Sequence, residues 1–218
     1  MSHVSILALE TAGKLCAVAL GKRKSIVFRQ QTEAMNAHAR VLSGLIEDVL
    51  QQAGRQIGQL EAIAVDIGPG SFTGLRIGMS MAKGLAFYHR LLIIPVSAFA
   101  IIAASLPEAG REWPLQVLID ARRNEAFRAT FANSADFYNA EISYERTPLA
   151  ALDGFPGMVV HAGGSNSFEQ ALSRAKAKQV EINVGVMPDL AIAALQSGQH
   201  IDSDNLEPEY GRDFAGVY

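Results

Sequence analysis

One glycine-rich segment restricts the fold of this chain more than any other: Asp66-Ile67-Gly68-Pro69-Gly70-Ser71-Phe72-Thr73-Gly74. The apolar run Ala62 to Ile67 before it has the length of a buried strand, and Ser71 to Tyr88 after it has the pattern of a helix. Backbone N–H groups at such a turn, aided by the helix dipole, can hold an anion, and Ser71 or Thr73 can cap the helix. A tight turn that needs glycine for its dihedrals explains the same residues equally well. Spacing excludes the common nucleotide and nucleophile templates. A Walker loop requires Gly-Lys-Ser/Thr, whereas Gly74 is followed by Leu75-Arg76. A dinucleotide fingerprint requires glycine at Thr73 and an acid about 20 residues on, and there is no Asp or Glu between Asp66 and Glu108. A nucleophile elbow requires glycine two residues either side of Ser71, where Pro69 and Thr73 stand.

Around this turn the chain alternates strands and helices. Val4 to Leu9, Leu15 to Leu20 and Ser25 to Arg29 read as three hairpin-connected strands. Val41, Leu42, Leu45, Ile46, Val49 and Leu50 then recur at helical spacing until Gly54. With a strand at Leu91 to Pro95, the order of the first half is βββαβαβ. A helix near Ser97 to Leu106 leads to strands at Leu115 to Ile119 and Glu125 to Phe131, then a strand at Val159 to His161 entering Gly163-Gly164. Helices follow near Asn166 to Lys176 and Pro188 to Ser197. The second half echoes the first without a residue-level repeat, so a division into 1–108 and 109–218 is expected.

On the helix after the turn, Gly74, Gly78, Ala82 and Ala86 form a stripe without bulky side chains. Gly74, Gly78 and Gly84 each cost a helix about 1 kcal/mol against alanine, so close packing is expected there, favouring another helix. The net charge of −3 gives no basic field for gripping a phosphate backbone unaided. The apolar runs fall short of the ~20 residues that span a bilayer, and the start carries no export signal, so a cytoplasmic protein without a membrane span is expected. Cys16, the single cysteine, excludes an intrachain disulfide and reads as a buried small hydrophobe. His3, His38, His89, His161 and His200 are scattered singly, a pattern of surface or satisfied histidines and not of metal ligands. Glu10 can order a magnesium ion through water, although a carboxylate satisfying its own turn is the plainer reading. Asp120 with Arg122-Arg123 reads as a polar pair at a strand end, with no catalytic task assigned.

Three ordered segments carry a family resemblance: Ile6-Leu7-Ala8-Leu9-Glu10-Thr11-Ala12, Gly68-Pro69-Gly70-Ser71-Phe72-Thr73-Gly74-Leu75-Arg76-Ile77-Gly78, and Ile119-Asp120-Ala121-Arg122. They resemble the TsaB (YeaZ) family over most of the first 130 residues. The resemblance implies an α/β fold of the actin/hexokinase type, made of two ribonuclease H-like subdomains with the second reduced. It implies a role in forming threonylcarbamoyladenosine beside the tRNA anticodon, as a non-catalytic partner of the catalytic paralogue TsaD, with TsaE joining the pair. An enzyme of the same superfamily, an ATPase or a peptidase, is the alternative. No cofactor of its own is implied, although an adenine nucleotide at the interface with TsaD is compatible with it. Ala12 stands where actin-like ATPases place a phosphate-turn glycine, and Glu10 where relatives commonly carry aspartate. Glu207-Pro208-Glu209-Tyr210-Gly211-Arg212 partly matches the family's Pro-x-Tyr-x-Arg close.

In the family the helix here at Asn36 to Leu50 and the helix after Gly74 contribute to pairing with TsaD or with a second copy. The interface is therefore expected on His38, Leu42, Leu45 and Val49, with Leu75, Gly78 and Ala82 on the second helix, and a homodimer in isolation. Leu45→Asp is expected to break pairing while leaving the fold intact.

Overall fold

The structure, a computed structural model, describes residues 5–22, 25–32, 37–139, 142–199 and 206–210. Its centre is β1 (Ser5–Glu10), in which all six residues are buried. Side chains alternate across a strand, so Ile6 and Ala8 enter one apolar cluster while Leu7 and Leu9 enter another on the opposite face. A strand covered on both sides reads as the continuous apolar run seen in the sequence. β1 pairs antiparallel with β2 (Cys16–Lys22), which pairs antiparallel with β3 (Ser25–Thr32). On its other edge β1 pairs parallel with β4 (Ala62–Gly68), and β4 with β5 (Leu92–Ser97). The order is β3-β2-β1-β4-β5.

The outer face of this sheet is covered by α1 (His38–Ala53) and α2 (Phe72–His89). Leu42, Leu45, Ile46, Val49 and Leu50 of α1, with Met79, Ala82 and Ala86 of α2, close over Leu7, Leu9, Val18, Ile63 and Val65. Gly54, left-handed at φ 59°, ends α1 where the sequence places its stop. Cys16 lies in the same cluster, and burial with the neighbouring Glu10 charge pushes its thiol up to about 11.

Alanines dominate the inner face: Ala8, Ala17, Ala19, Ala62 and Ala64 are fully buried. Their small side chains allow α5 (Met187–Gln196) to lie directly on β1 and β2. α3 (Ala98–Ser105) sits beside it, touching β4, β5 and β6 (Leu115–Arg122). These two helices form the layer between the first sheet and the second.

The second sheet repeats the first. β6 pairs antiparallel with β7 (Glu125–Phe131), and β7 with β8 (Tyr144–Pro148). β6 also pairs parallel with β9 (Met158–His161), and β9 with β10 (Lys178–Gln179). Read from β8, the order β8-β7-β6-β9-β10 has the connectivity and strand directions of the first sheet. Two such sheets with helices between them make an actin/hexokinase-type fold of ribonuclease H-like halves. The second half is reduced: β10 has two residues, and α4 (Asn166–Arg174) covers the outer face through Phe168, Ala171 and Leu172. The sheets lie on either side of residue 108, yet α5 belongs to the second stretch of sequence and packs on the first sheet. No helix among the described residues is long and apolar enough to cross a membrane.

Enlarging the inner face displaces α5. Ala64→Leu is expected to lower stability by about 1–3 kcal/mol in urea unfolding, and an unchanged midpoint would show that the layer has slack.

Candidate functional site

Two of the three sequence motifs, Ile6 to Ala12 and Gly68 to Gly78, meet at one end of the first sheet, while the third lies on β6 of the second. β4 ends at Gly68, whose φ of 103° and lack of Cβ are both used: a Cβ there would stand 2.7 Å from the carbonyl oxygen of Glu209. Ser71 N–H donates to the Ala12 carbonyl at 2.7 Å, and Ser71 Oγ accepts from Gly74 N–H at 3.2 Å, capping α2. Thr11 Oγ1 donates to the Gly74 carbonyl at 2.8 Å. Side chains at Gly74 and Gly78 would overlap the Thr11 carbonyl oxygen and hydroxyl, and one at Gly70 would lie 2.7 Å from the Ala12 carbonyl. The small-residue stripe thus admits the β1–β2 turn, not a second helix as expected from the sequence. Gly84 is different, since none of the described residues lies within 4 Å of where its Cβ would be.

Beneath this junction two carboxyl groups are buried together, Glu10 at 1% exposure and Asp66 at 2%. Glu10 Oε1 accepts from Ala12 N–H at 2.9 Å and from Gly13 N–H at 3.3 Å. Asp66 Oδ1 accepts from Gly68 N–H at 2.7 Å. Among the described residues Glu10 Oε2 has no donor unless Asp66 brings a proton. Burial, then the Glu10 charge and the hydrogen bond to Glu10, hold the Asp66 carboxyl well above the usual carboxylate range, against the lowering effect of Gly68 N–H. This favours the protonated form of Asp66, as a donor to Glu10. The turn N–H groups that a phosphate would need are already taken by Glu10, so this turn does not fit the phosphate of an actin-type ATPase.

The tail docks on the same junction. Glu209 N–H donates to the Ile67 carbonyl at 2.8 Å, and Leu206 is buried in the outer core. The Tyr210 ring lies 4.7 Å from that of Phe72, and Arg76 Nε donates to the Tyr210 hydroxyl at 2.9 Å. The expected Pro-x-Tyr close is thus part of the site, while Gly211 and Arg212 lie outside the described residues.

Beside it runs an open groove of about 790 Å³, lined by Ala39 of α1 and by α2 residues including Phe72, Arg76, Ile77, Met81 and Leu85. Gly84 lines it too. Past its end, Phe87 and Tyr88 are each 80% exposed. The interface expected on His38, Leu42, Leu45, Val49, Leu75, Gly78 and Ala82 is corrected here, because all seven are buried within the chain. The apolar stripe of each helix is used by its own sheet, and the free face is the next stripe around α2. For the same reason Leu45→Asp would put a carboxylate in the core and unfold the chain.

The second half has a counterpart of the junction. Asp120 Oδ1 accepts from Arg122 N–H and Oδ2 from Ser165 N–H, both at 2.8 Å. Arg122 Nη1 also pairs with Asp120 at 3.4 Å. Asp120 stands at the end of β6 as Glu10 does at the end of β1, and it too satisfies local backbone. Of the histidines, His38 Nε2 lies 3.4 Å from the Lys14 carbonyl and buried His161 accepts from Gly163 N–H at 3.0 Å. Burial lowers the His161 pKa. His89 meets Tyr88 edge-on, and His3 and His200 lie outside the described residues. No group of three or more metal-ligating side chains occurs among the described residues.

Gly74→Ala is expected to destabilise the chain by about 1–3 kcal/mol, while Gly84→Ala stabilises it by up to about 1 kcal/mol, both read by urea unfolding. The Asp66 proton gives a pH signature. The unfolded chain releases this proton above about pH 4 and the folded chain keeps it. The stability it contributes is complete below that pH and is lost as pH rises toward the elevated native value. Asp66→Asn keeps an acceptor for Gly68 and supplies N–H to Glu10 without a titrating proton, so its stability relative to the parent should climb as pH rises above about 4. A constant difference above that pH would refute the shared proton.

The family described as TsaD, tRNA N6-adenosine threonylcarbamoyltransferase, matches residues 24–193. The tRNA threonylcarbamoyladenosine biosynthesis protein TsaB of Haemophilus influenzae is 35% identical over 127 residues, covering 58% of this chain and 53% of the relative. TsaB of Escherichia coli is 32% identical over 126 residues, covering 58% and 54%. The chain thus spans about half the length of these curated relatives in the matched region. Among solved structures, YeaZ from Pseudomonas aeruginosa superposes with a TM-score of 0.76 at 23% identity, covering 95% of this chain and 99% of that one, which shows a shared fold. With well over half its length matched by the family, the chain belongs to the TsaD family as a TsaB (YeaZ)-type member.

Proposed function

We propose that the chain serves tRNA threonylcarbamoyladenosine formation as a non-catalytic subunit that pairs with TsaD through the groove on α2. The observation that carries this reading is the free apolar face of that helix. Ile77, Met81 and Leu85 are half-buried, Phe87 and Tyr88 stand out in solvent, and Gly84 leaves a backbone open to close approach. Large exposed apolar surface flanked by polar residues marks an interaction site. A helix laid along this face would bury those side chains and bring its backbone against Gly84.

The names of the relatives supply the pathway. The non-catalytic role is supported by Glu10 Oε1 and by both carboxylate oxygens of Asp120, which accept from local backbone N–H groups. In the same reading TsaE joins the pair, tRNA is reached through the complex, and the isolated chain pairs with a second copy through the same face. An adenine nucleotide, where one is held, lies between subunits and not on the β1–β2 turn.

Gly84→Glu tests the groove, since a Cβ at this exposed position meets nothing within 4 Å among the described residues. In a reconstitution with TsaD, TsaE and the adenylate-forming enzyme, the variant should retain its melting temperature and lose about tenfold or more in modified tRNA, the equivalent of about 1.4 kcal/mol. Equal product with and without the wild-type chain would overturn the function. Full activity of Gly84→Glu would move the interface elsewhere.

A further inference from the structure

We infer that Arg76 is a pre-organised anchor for a carboxylate on the partner, fixed in place by the chain's own tail through Tyr210. The inference rests on the pairing proposed above and assigns the chemistry at one end of it. The guanidinium carbon of Arg76 stands 4.0 Å over the Phe72 ring centroid and 5.9 Å from that of Tyr210. Its Nε is used by the Tyr210 hydroxyl. Stacking and this hydrogen bond fix the plane of the guanidinium, while its two Nη groups have no hydrogen bond or ion pair among the described residues. Arg122, Arg128 and Arg146, in contrast, each meet a carboxylate of the chain.

A planar fork held on an aromatic face with its terminal donors unused is suited to bidentate carboxylate recognition, and little side-chain entropy remains to be lost. Arg76 is exposed and lines the groove, so the donors are available where a partner helix would lie. The first turn of α2 contains no acidic residue, and the positive end of its dipole adds to the same preference. The occupant that fits is a helix with an apolar stripe for Ile77, Met81 and Leu85 and an Asp or Glu opposite Arg76. Tyr210 acts through Arg76. It is itself held by the Glu209 to Ile67 backbone bond and by buried Leu206, which makes a segment more than 130 residues away in sequence part of the partner surface.

The test is titration calorimetry of the full chain against TsaD at low and high salt, about 0.05 and 0.5 M, for wild type, Arg76→Ala, Arg76→Lys and Tyr210→Phe. Arg76→Ala should weaken binding about tenfold at low salt and flatten the salt dependence. Arg76→Lys should restore only part of the loss, because a point charge replaces the fork. Tyr210→Phe keeps the ring and removes the acceptor, and should fall between wild type and Arg76→Ala. Wild-type affinity and salt dependence in Arg76→Ala would overturn the anchor while leaving the pairing standing. Absence of wild-type binding would overturn the pairing itself. Independently of any partner, a double-mutant cycle of Arg76→Ala and Tyr210→Phe in urea unfolding should show coupling, and additive effects would refute the pre-organisation.

Discussion

Everything at the functional end of the molecule depends on how closely α2 approaches the β1–β2 turn. Thr11 and Ala12 lie against Gly70, Gly74 and Gly78 with no space for a methyl group, and the Thr11 hydroxyl and the Ala12 carbonyl bond to the same segment. This contact aligns α2 along the sheet, carries Phe72 and Arg76 to the surface, and seals Glu10 and Asp66 from solvent. Burial beside the Glu10 charge then raises the Asp66 pKa, because two adjacent buried carboxylates disfavour being ionised together. The glycines, the acidic pair and the exposed helix face are therefore consequences of one steric arrangement.

Much of this was legible in the sequence where periodicity and punctuation agreed. The end of α1 followed from Gly54 and the start of α2 from the Ser71 cap, and β1 to β5 from short apolar runs, although β3 continues past the run at Ser25 to Arg29 through polar residues to Thr32. β8, with the sequence Tyr-Glu-Arg-Thr-Pro, was not legible, because it is polar and largely solvent-facing, and β10 is too short to have a period. The duplicated topology was visible only as an echo. Strand order is set by long-range pairing, which leaves no residue-level trace when the two halves share no sequence.

The site was legible as a motif but not as an arrangement. A helical wheel shows how wide an apolar stripe is and not which part of it the sheet will cover. The expectation therefore settled on Leu42, Leu45 and Val49, which the sheet covers fully, and not on Ile77 and Met81, which the core covers only in part, or on the exposed Gly84 beside them. The alternation of glycines carried the missing signal: Gly74 and Gly78 have a Thr11 neighbour, and Gly84 on the next stripe has none. The meeting of Glu10 with Asp66, and of Arg76 with Tyr210, joins residues far apart in the chain and had no local signature.

The interleaving of the two halves has a bearing on biosynthesis. The alanine face of the first sheet is covered by α5, and its outer core is completed by Leu206. When the first hundred residues leave the ribosome, their sheet has neither its inner lid nor its last core side chain. The native N-terminal half is consequently a late product of translation. The α2 groove proposed as a partner surface thus lies on a half whose packing is completed only by α5 and Leu206.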